Sequence, residues 1–294
     1  MQKFLLWSAP GIFVLLWSTG FIGARLGLPY AEPFSFLFWR FSIVLLLLTP
    51  ISFFVVKKWP DGKLFAHSTV VGILLHGGYL GGVFFAIDRG MPAGISALIV
   101  SLQPILTLLL ATMIFGEKTS PKTFGLFLVG LFGVGLVLFP NVVGGISDGG
   151  IDLPTSTLIA SIIALLGISL GTVYQKQYAA GTDFLAGLIA QYFGATVVVG
   201  LLAYTTETME VELNGEFLFA MFWLIFVLSL GAVGLLMFLI SRDSVARTSA
   251  LFFLVPGFTV LVANIMFGES LSYIQLAGLA VASAAVALVN MQKQ

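Results

Sequence analysis

The sequence predicts an all-α polytopic membrane protein of ten transmembrane helices, arranged as two inverted five-helix repeats. Three observations carry that prediction. Of 294 residues, 59% are hydrophobic and 9% charged, at a mean hydropathy of +1.09; soluble domains are about one quarter charged. Apolar runs of about 20 residues recur along the chain, each long enough to cross the roughly 30 Å hydrocarbon core as a helix. The stretch from Ser96 through Pro104 to Phe115-Gly116-Glu117 returns from Ser249 through Pro256 to Phe267-Gly268-Glu269, with the prolines and the glycines each 152 residues apart. Such duplication fixes the architecture before any local feature does.

Composition also excludes several classes. The short alternating segments of a membrane β-barrel are absent. A formal net charge of zero offers no basic surface for nucleic acid. The chain has no cysteine, which removes disulfides and thiol chemistry.

Taken in order, the spans fall at about 4–26, 34–56, 66–87, 93–115, 122–141, 154–178, 183–204, 217–240, 246–267 and 272–290. The first begins just after Lys3 and lacks a small-residue cleavage site followed by a polar start, so it reads as a retained helix. Most connections are short; 142–153 and 205–216 are longer, polar and built of small residues. No separate soluble domain stands out, and the repeats divide at 1–145 and 146–294.

Lys and Arg orient the bundle. With ten spans, Lys3, Lys57, Lys58, Lys63, Lys118, Lys122, Lys176, Arg242, Arg247 and Lys293 share one side, while Arg25 and Arg89 take the other and Arg40 lies inside a span. The second side also receives Asp148, Asp152, Glu207, Glu210, Glu212 and Glu216. Both termini are therefore expected to be cytoplasmic. Offsets of 151 pair Ser18 with Ser169, Gly20 with Gly171 and Arg40 with Gln191; an offset of 153 pairs Arg89 with Arg242. Five spans per half is an odd number, so the halves have opposite topology, as in many secondary transporters. A duplicated scaffold without transport is the plainer alternative.

The stretch Leu15-Leu16-Trp17-Ser18-Thr19-Gly20-Phe21, the Phe38-Trp39-Arg40 of span two, both Pro-to-Phe-Gly-Glu spans and Leu170-Gly171-Thr172-Val173-Tyr174-Gln175-Lys176 together resemble the EamA-type members of the drug/metabolite transporter superfamily. Their order and duplication carry the resemblance, which covers essentially the whole chain. It implies a five-plus-five inverted fold and export or exchange of small metabolites, among them amino acids, nucleosides, sugars and drug-like cations.

Several residues are candidates for the transport site. Arg40 lies about seven residues inside span two, roughly 10 Å from its end. An intramembrane charge is costly and normally faces the bundle interior or a wet cavity. Its guanidinium can pair with a substrate carboxylate or phosphate, or it can snorkel and tie backbone carbonyls and Glu32. Its repeat mate Gln191 is neutral. His76 and Tyr79 stand mid-span beside Gly77-Gly78 and Gly81-Gly82, where His76 can bind substrate, carry a proton or serve as a hydrogen-bonded structural residue. Ser96, Gln103 and Thr107 share one helical face. Pro104 is expected to disrupt that helix and free a carbonyl, making either a cavity wall or a helix-to-helix tie. Pro256 matches it in span nine.

With 28 Phe, most aromatic positions must be packing or lipid contact; Trp17 beside Ser18, Tyr79 and Tyr192 are the cavity candidates. Glu117 and Glu269 read as end markers or gate contacts. Gly125, Gly130, Gly133 and Gly135 in span five, with Gly278, Ala282 and Ala285 in span ten, offer small-residue faces that either pair with each other or build a homodimer.

All thirteen Asp and Glu fall in loops or at span ends, so no carboxylate proton relay crosses the membrane, and facilitated efflux or exchange is the simpler mechanism. No metal site or cofactor is called for. A membrane enzyme would need a nucleophile and base or paired carboxylates within the spans, and none is visible. The sequence thus points to a transporter of the bacterial inner membrane working on a small-molecule substrate. Arg40 favours export of amino acids or related carboxylates. A permease or exchanger for sugars, nucleosides or phosphorylated metabolites is the rival, and a scaffold or sensor is the alternative from another class.

Overall fold

A computed structural model describes residues 2–91, 96, 99–116, 120–147, 154–242, 244–267 and 272–291. Among them the chain is almost entirely helical, with a single antiparallel bridge between Ala31 and Val211 as its sole extended pairing. Among the described residues nine helices are long and apolar enough to cross a membrane and a tenth is shorter. In chain order they are α1 (Ser8–Tyr30), α2 (Pro33–Val55), α3 (Gly62–Asp88), α4 (Gln103–Phe115), α5 (Pro121–Pro140), α6 (Thr155–Ala179), α7 (Phe184–Thr206), α8 (Gly215–Arg242), α9 (Val245–Met266) and α10 (Tyr273–Met291). Each falls on an expected span. Glu117, Glu269 and residues 92–95, 97 and 98 lie outside the described residues.

The helices bury one side in the bundle and leave the other apolar and open. On α2, Phe36, Phe41 and Val44 are fully buried, whereas Leu46, Phe53 and Phe54 are mostly exposed. In water such a surface would drive association; in a bilayer it is the ordinary lipid-facing side. Polar caps mark the ends. Asp61 accepts from the Leu64 amide at 2.7 Å, Asp183 from Leu185 and Ala186, Asn214 from Phe217 and Ser244 from Arg247. Each satisfies an N–H that a helix N-terminus leaves free, where a carboxylate also meets the favourable end of the dipole.

Glycines set the interhelical distances. A Cβ on Gly133 of α5 would lie 2.6 Å from the Ala282 nitrogen and 2.8 Å from the Gly278 oxygen of α10. The two small-residue faces therefore meet each other, which settles at these positions what the sequence left open. Gly130 receives the Phe253 ring, while Gly125 and Gly135 face open space. Helix α3 is held in the same way from two sides. Gly167 of α6 sits against Leu74 and Tyr79 backbone, Gly82 against the Ala160 carbonyl, and Gly72 and Gly194 bring α3 and α7 together at Gln191 and Thr69.

At one end the α1–α2 and α7–α8 connections are stitched together. Glu207 accepts from the amides of Phe34 and Ser35 and from the Ser35 hydroxyl, capping α2. In return, Glu32 accepts from the amide and hydroxyl of Thr208, each at 2.7 Å. The Thr208 hydroxyl, with its amide, holds the Glu32 carboxyl below its ordinary 4.5 against the opposing effect of partial burial. A depressed carboxylate pKa adds stability above the unfolded value and loses it as pH falls through the folded one.

Two outcomes follow from this packing. Gly133→Leu should force α5 and α10 apart and cost about 1–3 kcal/mol, lowering the melting temperature in detergent, while Gly125→Ala leaves it nearly unchanged. Glu32→Gln should lower the melting temperature near pH 7, and by progressively less as pH falls through the lowered pKa of the wild-type carboxyl and that group takes up a proton.

Candidate functional site

Helix α3 does not run as a uniform α-helix. From Ile73 to Leu80 it widens into π-helical turns, and α8 does the same from Leu224 to Ala232. These segments stand about 151 residues apart, the offset that the sequence repeat predicts. π-Turns are rare and concentrate at functional sites, because the extra residue per turn re-aims the side chains. Here they face one small cavity of about 40 Å³, lined by Trp17 of α1, Arg40 of α2, His76 and Tyr79 of α3, and Leu224 and Leu228 of α8. That volume accommodates water, not a metabolite.

Arg40 is 3% exposed. Its Nε donates to the Ser229 hydroxyl at 3.0 Å, and its guanidinium carbon lies 5.6 Å from the Phe41 ring centroid. The Arg89–Asp88 ion pair, at 3.6 Å, lies at the end of α3, and among the described residues no carboxylate pairs with Arg40. It does not snorkel and it does not reach Glu32, whose carboxylate is taken up by Thr208. A buried guanidinium with one neutral partner is incompletely compensated.

The aromatic walls are ordered around it. The His76 ring stacks on Tyr192 at 4.7 Å with 8° between planes, and Phe41 lies 5.8 Å from His76. Tyr192 donates its hydroxyl to the Ser229 carbonyl at 2.9 Å, so residue 229 anchors both Arg40 and Tyr192. Trp17 and Tyr79 lie parallel, 6.4 Å apart. Gln191 donates to the Gln175 side-chain oxygen at 2.8 Å. His76 Nε2 and Gln191 Oε1 are buried without a hydrogen-bond partner.

The sequence candidates thus divide. Trp17, Arg40, His76 and Tyr79 share the cavity, with Tyr192 and Gln191 directly behind. Ser18 does not line it; its hydroxyl donates to the Val14 and Val255 carbonyls and ties α1 to α9. Gln103 and Thr107 form a separate cluster, in which Gln103 donates to Thr107 at 2.8 Å and to Ser249 at 3.4 Å, joining α4 to α9. In the same region Ser96 Oγ, Gln103 Oε1 and Thr248 Oγ1 are buried without partners. As expected, the span is interrupted at Pro104: residues 96, 99 and 100 are helical, Ser101 and Leu102 form a turn, and the helix resumes at Gln103 with Pro104 in its first turn, where a missing N–H costs nothing. Span nine is broken in a similar way: α9 is α-helical at Val245–Ala250, 3₁₀ at Leu251–Leu254 and α-helical again from Val255, with Pro256 in that first turn.

Ser229 and Gln175 were not singled out from sequence. Ser229 stands 153 residues after His76, the offset that pairs Arg89 with Arg242, so the repeat held that signal. Gln175 lies within the quoted Leu170–Lys176 stretch, but nothing in one sequence shows that it meets Gln191. Among the described residues no group of three or more His, Asp or Glu comes together.

Comparisons with known proteins bear on this site. The model of the EamA-like transporter family matches twice, at residues 11–139 and 155–291. A Salmonella typhimurium protein named "Probable amino-acid metabolite efflux pump" is 24% identical, over 91% of this chain and 88% of its own length. The Escherichia coli K12 "Uncharacterized inner membrane transporter YedA" is 25% identical, over 99% and 92%, and "Uncharacterized transporter YvbV" of Bacillus subtilis is 24% identical, over 96% and 90%. One crystal structure superposes with a TM-score of 0.74 at 18% identity, covering 96% of this chain and 95% of the other; at that identity it shows the shared fold.

Ser229→Ala should destabilise the protein by about 1–3 kcal/mol, because it strips a buried charge of its hydrogen bond. In an Arg40→Met background the same change should cost much less. A thermal-unfolding double-mutant cycle reads the difference as coupling between the two residues.

Proposed function

As this chain belongs to the EamA-like transporter family, we propose that its cargo binds at the Arg40 cavity and carries a carboxylate, as an amino acid or a related metabolite does. Members of this family are transporters and not enzymes, so the question here is what moves and how. One observation carries the proposal: a fully buried guanidinium whose neighbours include no counter-charge. A cargo carboxylate supplies that charge through two parallel N–H···O bonds, displacing or sharing the Ser229 contact. The Trp17 and Tyr79 faces then take the apolar part of the cargo. The Salmonella relative's printed name points to the same cargo class.

Movement follows by alternating access between inverted halves. Supporting this are the two matches to the family model, the matched π-segments and the odd span number. The cavity is too small for an amino acid, so its walls must separate for cargo to enter. Close contacts of α3 with α6 and α7 run over glycines, where main chain meets main chain and a small shift need not unlock a side chain. The excess of basic residues on one side supports cytoplasmic termini in a bacterial inner membrane, and the Salmonella relative's name as an efflux pump supports export. Exchange or facilitated efflux fits the lack of an intramembrane carboxylate. The parallel Trp17 and Tyr79 rings favour a second reading, a neutral cargo with a ring that stacks on them, such as a nucleoside.

Proteoliposome uptake with a panel of labelled amino acids, nucleosides and sugars separates the two. Wild type should move carboxylate-bearing cargo, and Arg40→Met should lower its kcat/KM by about 10- to 100-fold. The same variant should melt no lower than wild type, since replacing a poorly compensated buried charge by an apolar chain is often neutral or stabilising. Uptake of nucleosides alone, unchanged in Arg40→Met, would sink the carboxylate proposal.

A further inference from the structure

The face of α3 opposite the cavity opens onto a second and much larger concavity. It is a groove of about 710 Å³ between α3, α6 and α7, floored by Gly77, Gly78 and Gly81 and walled by Ile159, Ile163 and Val198. Ile159 and Ile163 are half exposed, so the groove opens sideways, toward lipid. From Ile73 to Arg89 it climbs roughly 24 Å at ~1.5 Å per residue, which suits an extended acyl chain.

Two of its glycines are not explained by helix packing. A Cβ on Gly82 would strike the Ala160 carbonyl, so glycine is required there. On Gly77 the nearest atom would be Val198 Cγ1 at 3.7 Å, and on Gly78 it would be the Ile73 oxygen at 3.6 Å. Both are ordinary contacts, so a Cβ is sterically possible at either; a larger side chain on Gly77 would fill the groove, whereas on Gly78 it would also press on the Gly167 Cα of α6, 3.7 Å away.

The rim is polar and its charges are arranged in a way that selects a headgroup. Arg89 lies over the Phe85 ring, 5.3 Å from its centroid, with its side chain 60% exposed and its Nε 3.6 Å from Asp88. Among the described residues, no hydrogen-bond partner meets the remaining guanidinium N–H groups. Glu207, also at the rim, has its carboxylate committed to the N-terminus of α2. One outward cation beside one partly exposed carboxylate matches a phosphate next to an ammonium. A headgroup with negative charge alone would share Arg89 with Asp88 and bring no cation to that carboxylate.

We propose that this groove is a binding site for one zwitterionic phospholipid, with an acyl chain along the glycine floor, the phosphate on Arg89 and the ammonium on Asp88. The lipid lies against Ile73, Leu74, Gly77 and Gly78, while His76 and Tyr79 of the same π-helical turns face the cavity. A bound chain therefore braces the segment that shapes the transport site. The lipid assignment itself does not depend on what the cavity carries.

The test is native mass spectrometry of the purified, delipidated protein titrated with phosphatidylethanolamine and, separately, phosphatidylglycerol. Wild type should show one saturable phosphatidylethanolamine adduct. Arg89→Gln should weaken it about tenfold, and Gly77→Leu should remove it. The Arg89 side chain is exposed, so Arg89→Gln folds and its result stands even if Gly77→Leu does not. Equal binding by wild type and Arg89→Gln, or tighter binding of phosphatidylglycerol, overturns the proposal. So does efficient cross-linking between two copies of Ile163→Cys, clean in a chain without native cysteine, since a second protein would then fill the groove.

Discussion

Backbone-to-backbone contact of α3 with α6 and α7 is the constraint on which the rest of this structure depends. In hydrocarbon, apolar side chains gain little by leaving lipid for protein, so helices associate through close packing and through polar ties. Gly72, Gly82, Gly167 and Gly194 let three helices approach until their main chains touch. That approach fixes where the π-turns of α3 lie. One face of those turns then meets Arg40, Tyr192 and α8, and the other is left as the floor of a lateral groove.

Charge in this fold is handled by position. The carboxylates Asp61 and Asp183 sit at helix N-termini, where amides satisfy them, and Glu32 and Glu207 cap one another's segments across the α2–α7 end. Arg40 departs from that economy of placement. It is buried, carries one neutral hydrogen bond and lies among aromatic rings. A fold selected for stability alone would favour an apolar residue there. A buried cation whose missing counter-charge can arrive with a ligand makes sense in a transporter, where binding must alter the balance between two arrangements of the same helices.

The two halves are similar in frame and different in chemistry. Pro104 and Pro256 each start a helix after a tighter or irregular turn, and Ile73–Leu80 and Leu224–Ala232 are both π-helical. Yet Arg40 is matched by Gln191, and His76 by the neutral Val227–Ser229 stretch. Duplication thus preserved backbone irregularities while the side chains over them diverged, leaving one charged half-site and one neutral one.

Sequence alone determined the membrane class, the number and limits of the spans, the duplication and the residues Trp17, Arg40, His76 and Tyr79 as interior. These are properties of single residues and of their spacing: hydrocarbon thickness sets helix length, and a lone charge mid-span must face inward. Tertiary structure decided what depends on distance between helices. It paired Arg40 with Ser229 and Gln191 with Gln175, and turned Ser18 toward α9. It separated Gln103 and Thr107 from the cavity. It also opened the groove beside Arg89. Helices that are apolar around their whole circumference carry no stripe that tells lipid from protein, so their rotation and partners are set only when glycine contacts and buried polar ties are satisfied together.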